Sequence, residues 1–203
     1  MIFTSEQVSC GHPDKICDQI SDAIVTACLS HDRNSRVATE CMIKDYKVII
    51  AGEITSSYEP DYKALVTEVL SRIGLSDPEE YRVTVYISKQ SPDIALGVDG
   101  NSGAGDQGMM FGYATDETPE MLPIPYAVAT HALGLLRELK SPLLLPDAKA
   151  QVSYDYDTGR ITTFLISTQH REDTSVMDIC PLVQAVMETA AQDYDLNLSL
   201  IHI

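Results

Sequence analysis

Between Gln90 and Gly108 the chain carries glycines at 97, 100, 103, 105 and 108, together with Pro92 and Asn101. Glycine and proline at that density exclude a helix or a strand, so the stretch reads as a mobile loop between two structured parts. The loop is a candidate boundary between two units. The division it predicts is residues 1–98 and residues 99–203.

On the amino-terminal side, Ile16, Ile20, Ile24, Ala27 and Cys28 recur at helical spacing, with Asp18, Gln19 and Asp22 on the other face. Pro13 suits a first helical turn, where its missing N–H costs nothing, so a helix is expected from about 13 to about 30. Arg36–Ile43 and Tyr46–Ile54 are β-branched runs separated by Lys44-Asp45, the signature of a hairpin. A second helix is expected from about 61 to 73, stopped by Gly74. Val83, Val85 and Ile87 then alternate like a strand over 81–89.

Beyond the loop, Met109–Tyr113 reads as a return to strand and 126–139 as a helix, followed by a proline-bounded stretch, 142–146. Residues 151–156 and 160–168 form a predicted hairpin around Asp157-Thr158-Gly159. A last helix spans about 176–193 despite Pro181. Strand pairs with helices between them predict an α+β architecture rather than a doubly wound parallel sheet.

The 30 acidic and 14 basic residues leave a formal charge of −16. A body so acidic repels nucleic acid and anionic membrane surfaces. It also repels a triphosphate, so a nucleotide site here requires local lysines or cations. No apolar stretch approaches the roughly 20 residues of a membrane span, and Met1–Glu6 lacks the basic-then-apolar order of a signal peptide. A cytoplasmic protein with neither nucleic-acid nor membrane partners is the expectation. Cys10, Cys17, Cys28, Cys41 and Cys180 include no C-x-x-C pair, so reduced structural thiols are expected rather than a zinc or redox site.

Several residue groups could carry chemistry. Gly11-His12-Pro13-Asp14-Lys15 opens a helix, where main-chain N–H groups and the helix dipole attract anions. There His12 can donate to a phosphate and Asp14 can hold magnesium; equally, Asp14 can simply cap the first turn. Gly103-x-Gly105-x-x-Gly108 has the dinucleotide-binding spacing, but neither a strand before it nor an amphipathic helix after it, so that reading fails. Glu40 and Glu53 lie on the paired strands, where solvent exposure is the ordinary fate of a carboxylate. Gly52 allows close backbone approach and points weakly to a ligand nearby. Asp147 and Lys149 are two apart, so an extended segment puts both on one side. His31, His131 and His170 have no motif around them.

Taken in order, six segments resemble the methionine adenosyltransferase (S-adenosylmethionine synthetase) family. They are Gly11-His12-Pro13-Asp14-Lys15, Gly52-Glu53-Ile54-Thr55, Gln90-Ser91-Pro92-Asp93-Ile94, the stretch GAGDQGMMFGYA at 103–114, Pro146-Asp147-Ala148-Lys149 and Ser167-Thr168-Gln169-His170. The resemblance implies attack of methionine sulfur on C5′ of ATP, expulsion of triphosphate, and its hydrolysis to pyrophosphate and phosphate. It implies catalytic roles for His12, Lys15 and Asp106, nucleotide contacts from His12, Asp147, Ala148 and Lys149, and methionine contacts from Glu53 and Gln90. Asp14 would bind Mg2+ and Glu40 K+, while Gln90, Ser91, Pro92, Asp93 and Asp99 would belong to a gate loop. It further implies two-layer domains in a pseudo-threefold arrangement, and a homodimer or dimer of dimers with sites at the subunit interface.

The chain departs from the family's pattern in four respects. Cys10 stands where an acidic or small residue is usual, and residues 98–102 are shorter than in many relatives. The glycine-rich segment and the basic residues of the family's later half, and its third domain, have no counterpart here. Residues 198–203 also leave the pattern, and they match the translation of CTG-TCT-CTT-ATA-CAC-ATC, a transposon-end adapter sequence. The expectation is a gene that continues past this point, which resequencing of the locus tests; an ordinary apolar segment at 198–203 is the alternative. A catalytically inactive chain that binds nucleotide or a full-length partner subunit is the alternative function.

Overall fold

A computed structural model describes residues 1–92 and 109–198. Its contacts divide into two compact units, Met1–His12 with Tyr113–Ile203, and Pro13–Gly112. The expected division at 98/99 falls outside the described residues.

In the second of these units α1 (Pro13–His31) and α2 (Tyr62–Ile73) cover one face of a three-stranded sheet of β2 (Arg36–Lys44), β3 (Lys47–Thr55) and β4 (Arg82–Ser88). Ile16, Ile20, Ile24 and Cys28 of α1, Val48, Ile50 and Ile54 of β3, and Val66, Val69 and Leu70 of α2 are all buried. Each such aliphatic side chain contributes about 1.5–3 kcal/mol by leaving water. The expected hairpin pairs β2 with β3 antiparallel, and its loop is Asp45-Tyr46. β4 joins β3 in parallel, which the α2 crossover makes possible. Asp61 caps α2 by accepting from the Ala64 amide at 3.0 Å, and Gly74 ends it as expected.

The other unit is a four-stranded sheet in the order β1-β5-β6-β7. Its strands are β1 (Ile2–Val8), β5 (Leu144–Asp155), β6 (Arg160–His170) and β7 (Asn197–Leu198), covered by α3 (Ile124–Glu138) and α4 (Val176–Gln192). Ala148, Ala150 and Val152 of β5 and Ile161, Phe164 and Ile166 of β6 point into a core shared with Val128, Ala132 and Leu136 of α3 and Val183, Val186 and Met187 of α4. In α4 the Asp178 carboxylate accepts from the Ser175 amide and hydroxyl at 3.0 and 2.7 Å, so its N-terminus is satisfied ahead of Pro181.

One strand was not expected, and other readings change. β1 has no apolar alternation, since Thr4, Ser5, Glu6 and Gln7 fill its centre, and it exists because it pairs along its whole length with β5. Met109–Tyr113 forms no strand; Met109, Met110 and Phe111 are exposed, Phe111 by 92%, and their apolar character has no sheet to serve. The proline-bounded stretch, 142–146, runs from a turn into the start of β5 at Leu144. There Leu144 pairs with His170 and Ala148 with Thr168, so three residues of β5 oppose Gln169 alone. Pro146, which has no N–H to give the ladder, sits in that bulge.

Candidate functional site

The bulge in β5 is where two distant motifs meet. β1 runs antiparallel to β5 with Val8 opposite Lys149, and the pairing continues as the Ser9 amide donates to the Ala148 carbonyl at 2.8 Å. The Ser9 hydroxyl donates to the Pro146 carbonyl and accepts from the Ala148 amide, both at 2.7 Å. Gly11 is buried against the same proline: a Cβ there would lie 2.4 Å from the Pro146 carbonyl carbon, so the turn tolerates no side chain. The His12 amide closes the turn on the Ser9 carbonyl at 3.1 Å, leaving the half-buried imidazole at its end. His12 and Asp147-Ala148-Lys149 are thus drawn to one place by one hydroxyl and one glycine.

The three β5 residues contribute differently. The Ala148 side chain is 4% exposed and belongs to the core, so only its main chain faces the turn. Lys149 points the other way and pairs with Glu6 of β1, Nζ to Oε1 2.9 Å. Asp147 carries a buried carboxylate oxygen, Oδ1, with no hydrogen-bond partner among the described residues. A buried acceptor left unpaired is costly, and it is the kind of atom a bound donor would satisfy.

In the unit of α1 and α2, Asp14 and Glu40 line one cavity of about 250 Å³ with Pro13, Cys17, Ser21, Cys41 and Ile43. Lys15 Nζ reaches Asp18 at 2.8 Å, one turn along α1. Burial pushes the Cys17 thiol up to about 11, with Cys41 the next cause, and burial raises Cys41 as well. Both thiols are therefore protonated at neutral pH and serve as packing, as the sequence implied. Glu53 and Gln90 line a second cavity, about 300 Å³, with Val25, Leu29, Ser35, Arg36, Val37 and Ala38. It offers a carboxylate, a guanidinium, an amide and an apolar wall. Gly52 has φ +144°, and a Cβ there would be 2.1 Å from the Ala38 carbonyl oxygen. Its close approach is to β2.

Among the described residues no three His, Cys, Asp or Glu side chains are grouped to hold a metal by themselves. Asp93, Asp99 and Asp106 lie outside the described residues; Ser91 and Pro92 follow Gln90 at their edge. Glu6 and Ser9 were not singled out from the sequence, because β1 itself was not. The histidines without motifs have local partners: His31 stacks on Tyr58 with ring centroids 3.8 Å apart, His131 Nε2 meets Asp193 at 2.7 Å, and His170 Nδ1 lies 2.9 Å from the Arg171 carbonyl.

Two family models match the chain: S-adenosylmethionine synthetase, N-terminal domain, over residues 1–92, and S-adenosylmethionine synthetase, central domain, over residues 101–201. Among solved structures, an S-adenosylmethionine synthetase from Campylobacter jejuni, described as unusual, is similar to this chain with 36% sequence identity and a TM-score of 0.79. The match covers 92% of this chain and 53% of that one, so this chain spans about half the length of its relative.

Proposed function

The chain belongs to the S-adenosylmethionine synthetase family, and from that premise we propose that it takes part in forming S-adenosylmethionine from ATP and L-methionine, with release of pyrophosphate and phosphate. The observation that carries the nucleotide part is the β1–β5 junction. His12, Asp147 with its orphaned Oδ1, and Lys149 lie on the two segments that Ser9 ties together there.

In this reading His12 donates toward the triphosphate near the breaking C5′–O bond, and Lys15 and Lys149 offset its charge within an otherwise acidic body. A thioether is a modest nucleophile, so rate depends on alignment and on stabilising the polyanionic leaving group. Glu53 and Gln90 share a cavity with an apolar wall, which suits an amino acid bearing both an ammonium group and a thioether. Asp106 belongs to the same chemistry by resemblance, and Gln90, Ser91, Pro92, Asp93 and Asp99 to the gate.

Asp14 would hold Mg2+ and Glu40 K+. Their carboxylates are hard oxygen donors on one cavity wall, and Mg2+ is commonly held by one or two carboxylates with substrate phosphates completing its shell. Bound there, the cations would supply positive charge for the phosphates. A cytoplasmic homodimer or dimer of dimers, with sites shared between subunits, completes the proposal. No helix among the described residues is long and apolar enough to cross a membrane.

The test is incubation of the protein with ATP, L-methionine, Mg2+ and K+, followed by assay of S-adenosylmethionine, pyrophosphate and phosphate. With a full-length version of the enzyme the expected result is their formation in equal amounts, with a large loss in His12→Ala while the circular dichroism spectrum is retained. Turnover unaffected by His12→Ala would remove His12 from the mechanism. Nucleotide binding without turnover would instead support the second reading, an inactive chain that binds nucleotide or a full-length subunit, which the junction in β1 and β5 also favours.

A further inference from the structure

The segment Ser167-Thr168-Gln169-His170 stands out in the sequence, yet nothing above uses it. The fold puts it at the nucleotide junction. β6 pairs with β5 so that Ser167 is directly opposite Lys149, and Lys149 is in turn directly opposite Val8 of β1. Directly opposed residues project from the same sheet face with Cβ atoms about 4.5–5.5 Å apart. Ser167 therefore flanks Lys149 on one side as Glu6, paired to it at 2.9 Å, flanks it on the other.

Alternation then sorts the motif. Ser167 and Gln169 are both exposed on the Lys149 face, whereas Thr168, opposite the core residue Ala148, is on the other. Gln169 is also the single residue that the three-residue bulge 145–147 opposes. The face thus presents a cation, a hydroxyl and a primary amide. That combination matches phosphate oxygens: the ammonium supplies charge, and the neutral donors supply directed hydrogen bonds.

We propose that Ser167, with Gln169 beside it, contacts the phosphate oxygens of a nucleotide bound at the Lys149 face. The proposal rests on the nucleotide reading above and extends it to a strand that reading does not use. The Ser167 hydroxyl donates to an oxygen of the phosphate that Lys149 also holds, and Gln169 bounds the row toward the bulge.

Binding of adenosine 5′-(β,γ-imido)triphosphate with Mg2+, and separately of adenosine, to the 203-residue chain tests it by calorimetry. Ser167→Ala should weaken triphosphate binding by about tenfold or more, the loss of one hydrogen bond to a charged group, and leave adenosine binding unchanged. Ser167→Thr should restore most of it, and Thr168→Val, on the opposite face, should change neither. Equal losses for triphosphate and adenosine, or no loss in Ser167→Ala while Lys149→Met binds weakly, would overturn the inference and leave the nucleotide site standing. If the unaltered chain and Lys149→Met bind alike, or neither binds, the nucleotide reading itself falls and takes the inference with it.

Discussion

The Ser9 hydroxyl accepts the Ala148 amide proton at 2.7 Å in the middle of a strand start that would otherwise have no ladder partner for it. It also donates to the Pro146 carbonyl, so one side chain bridges both peptide groups around Asp147. The β5 bulge is held open by a residue 139 positions away in sequence.

Replacing Ser9 with alanine strips both bonds from half-buried main-chain groups. The expected cost is about 1–3 kcal/mol, because an amide left unpaired loses more than a bond is worth on average. Thermal unfolding should register a fall of several degrees. Nucleotide affinity should fall beyond what the lower stability explains, since Asp147 and Lys149 lose their bracket.

Gly11→Ala is predicted to be worse than Ser9→Ala. Its Cβ would meet the carbonyl carbon and oxygen of Pro146 at 2.4 and 2.5 Å, and backbone atoms cannot step aside as a flexible side chain can. The clash forces β1 and the β5 bulge apart, so a lower melting temperature than that of Ser9→Ala is expected. A melting temperature equal to that of the unaltered chain would show that the turn is not packed on Pro146.

How much of this was legible follows from what each signal measures. Hydrophobic periodicity exposed α1 through Ile16, Ile20 and Ile24, because that helix buries one stripe. The same signal was silent for β1, whose identity lies in long-range pairing to β5 and not in its own composition. It misled at Met109–Phe111, where large apolar residues lie exposed. His12, Asp147 and Lys149 were found by resemblance, and their convergence could not be read from residues 135 positions and more apart. Glu6 and Ser9 carried no motif of their own; only the register of β1 reveals them.

A pH effect should come from the loop that leads into α3. Tyr156 donates to Glu117 at 2.5 Å, and Glu117 also accepts from the Thr115 hydroxyl at 2.9 Å and the Ile124 amide at 3.3 Å. The Tyr156 bond, first, then the others hold the Glu117 carboxyl below its usual range, and burial with the same bond holds the Tyr156 phenol far above its own. A lowered carboxyl pKa stabilises the fold above the unfolded value, about 4.3, and the contribution disappears as pH falls below it. A raised phenol pKa stabilises the fold below about 10, and that contribution is lost as pH rises beyond. Tyr156→Phe should therefore lower stability by about 1 kcal/mol at pH 7 and flatten the melting-temperature profile at both extremes. Parallel profiles for the two proteins would sink this assignment.

Lys149 and Glu6 separate binding from stability. Their ion pair is 2.9 Å long but about half exposed at both ends, with relative areas of 46% and 51%, so water and salt screen it. Exposed pairs of this kind contribute about 0–1 kcal/mol, and neither Lys149→Met nor Glu6→Gln should move the melting temperature by more than a degree or two. Their effects on nucleotide binding should nevertheless be opposite. Lys149→Met removes a cation from an acidic body and should weaken Mg2+–triphosphate binding tenfold or more at low salt. Glu6→Gln releases the lysine from its carboxylate and removes a negative charge beside the phosphate, so binding should strengthen by a few fold. Raising ionic strength should shrink both differences, because each arises from charges near the surface. If Glu6→Gln weakened binding as Lys149→Met does, the carboxylate would be a ligand contact in its own right and not a competitor for the lysine.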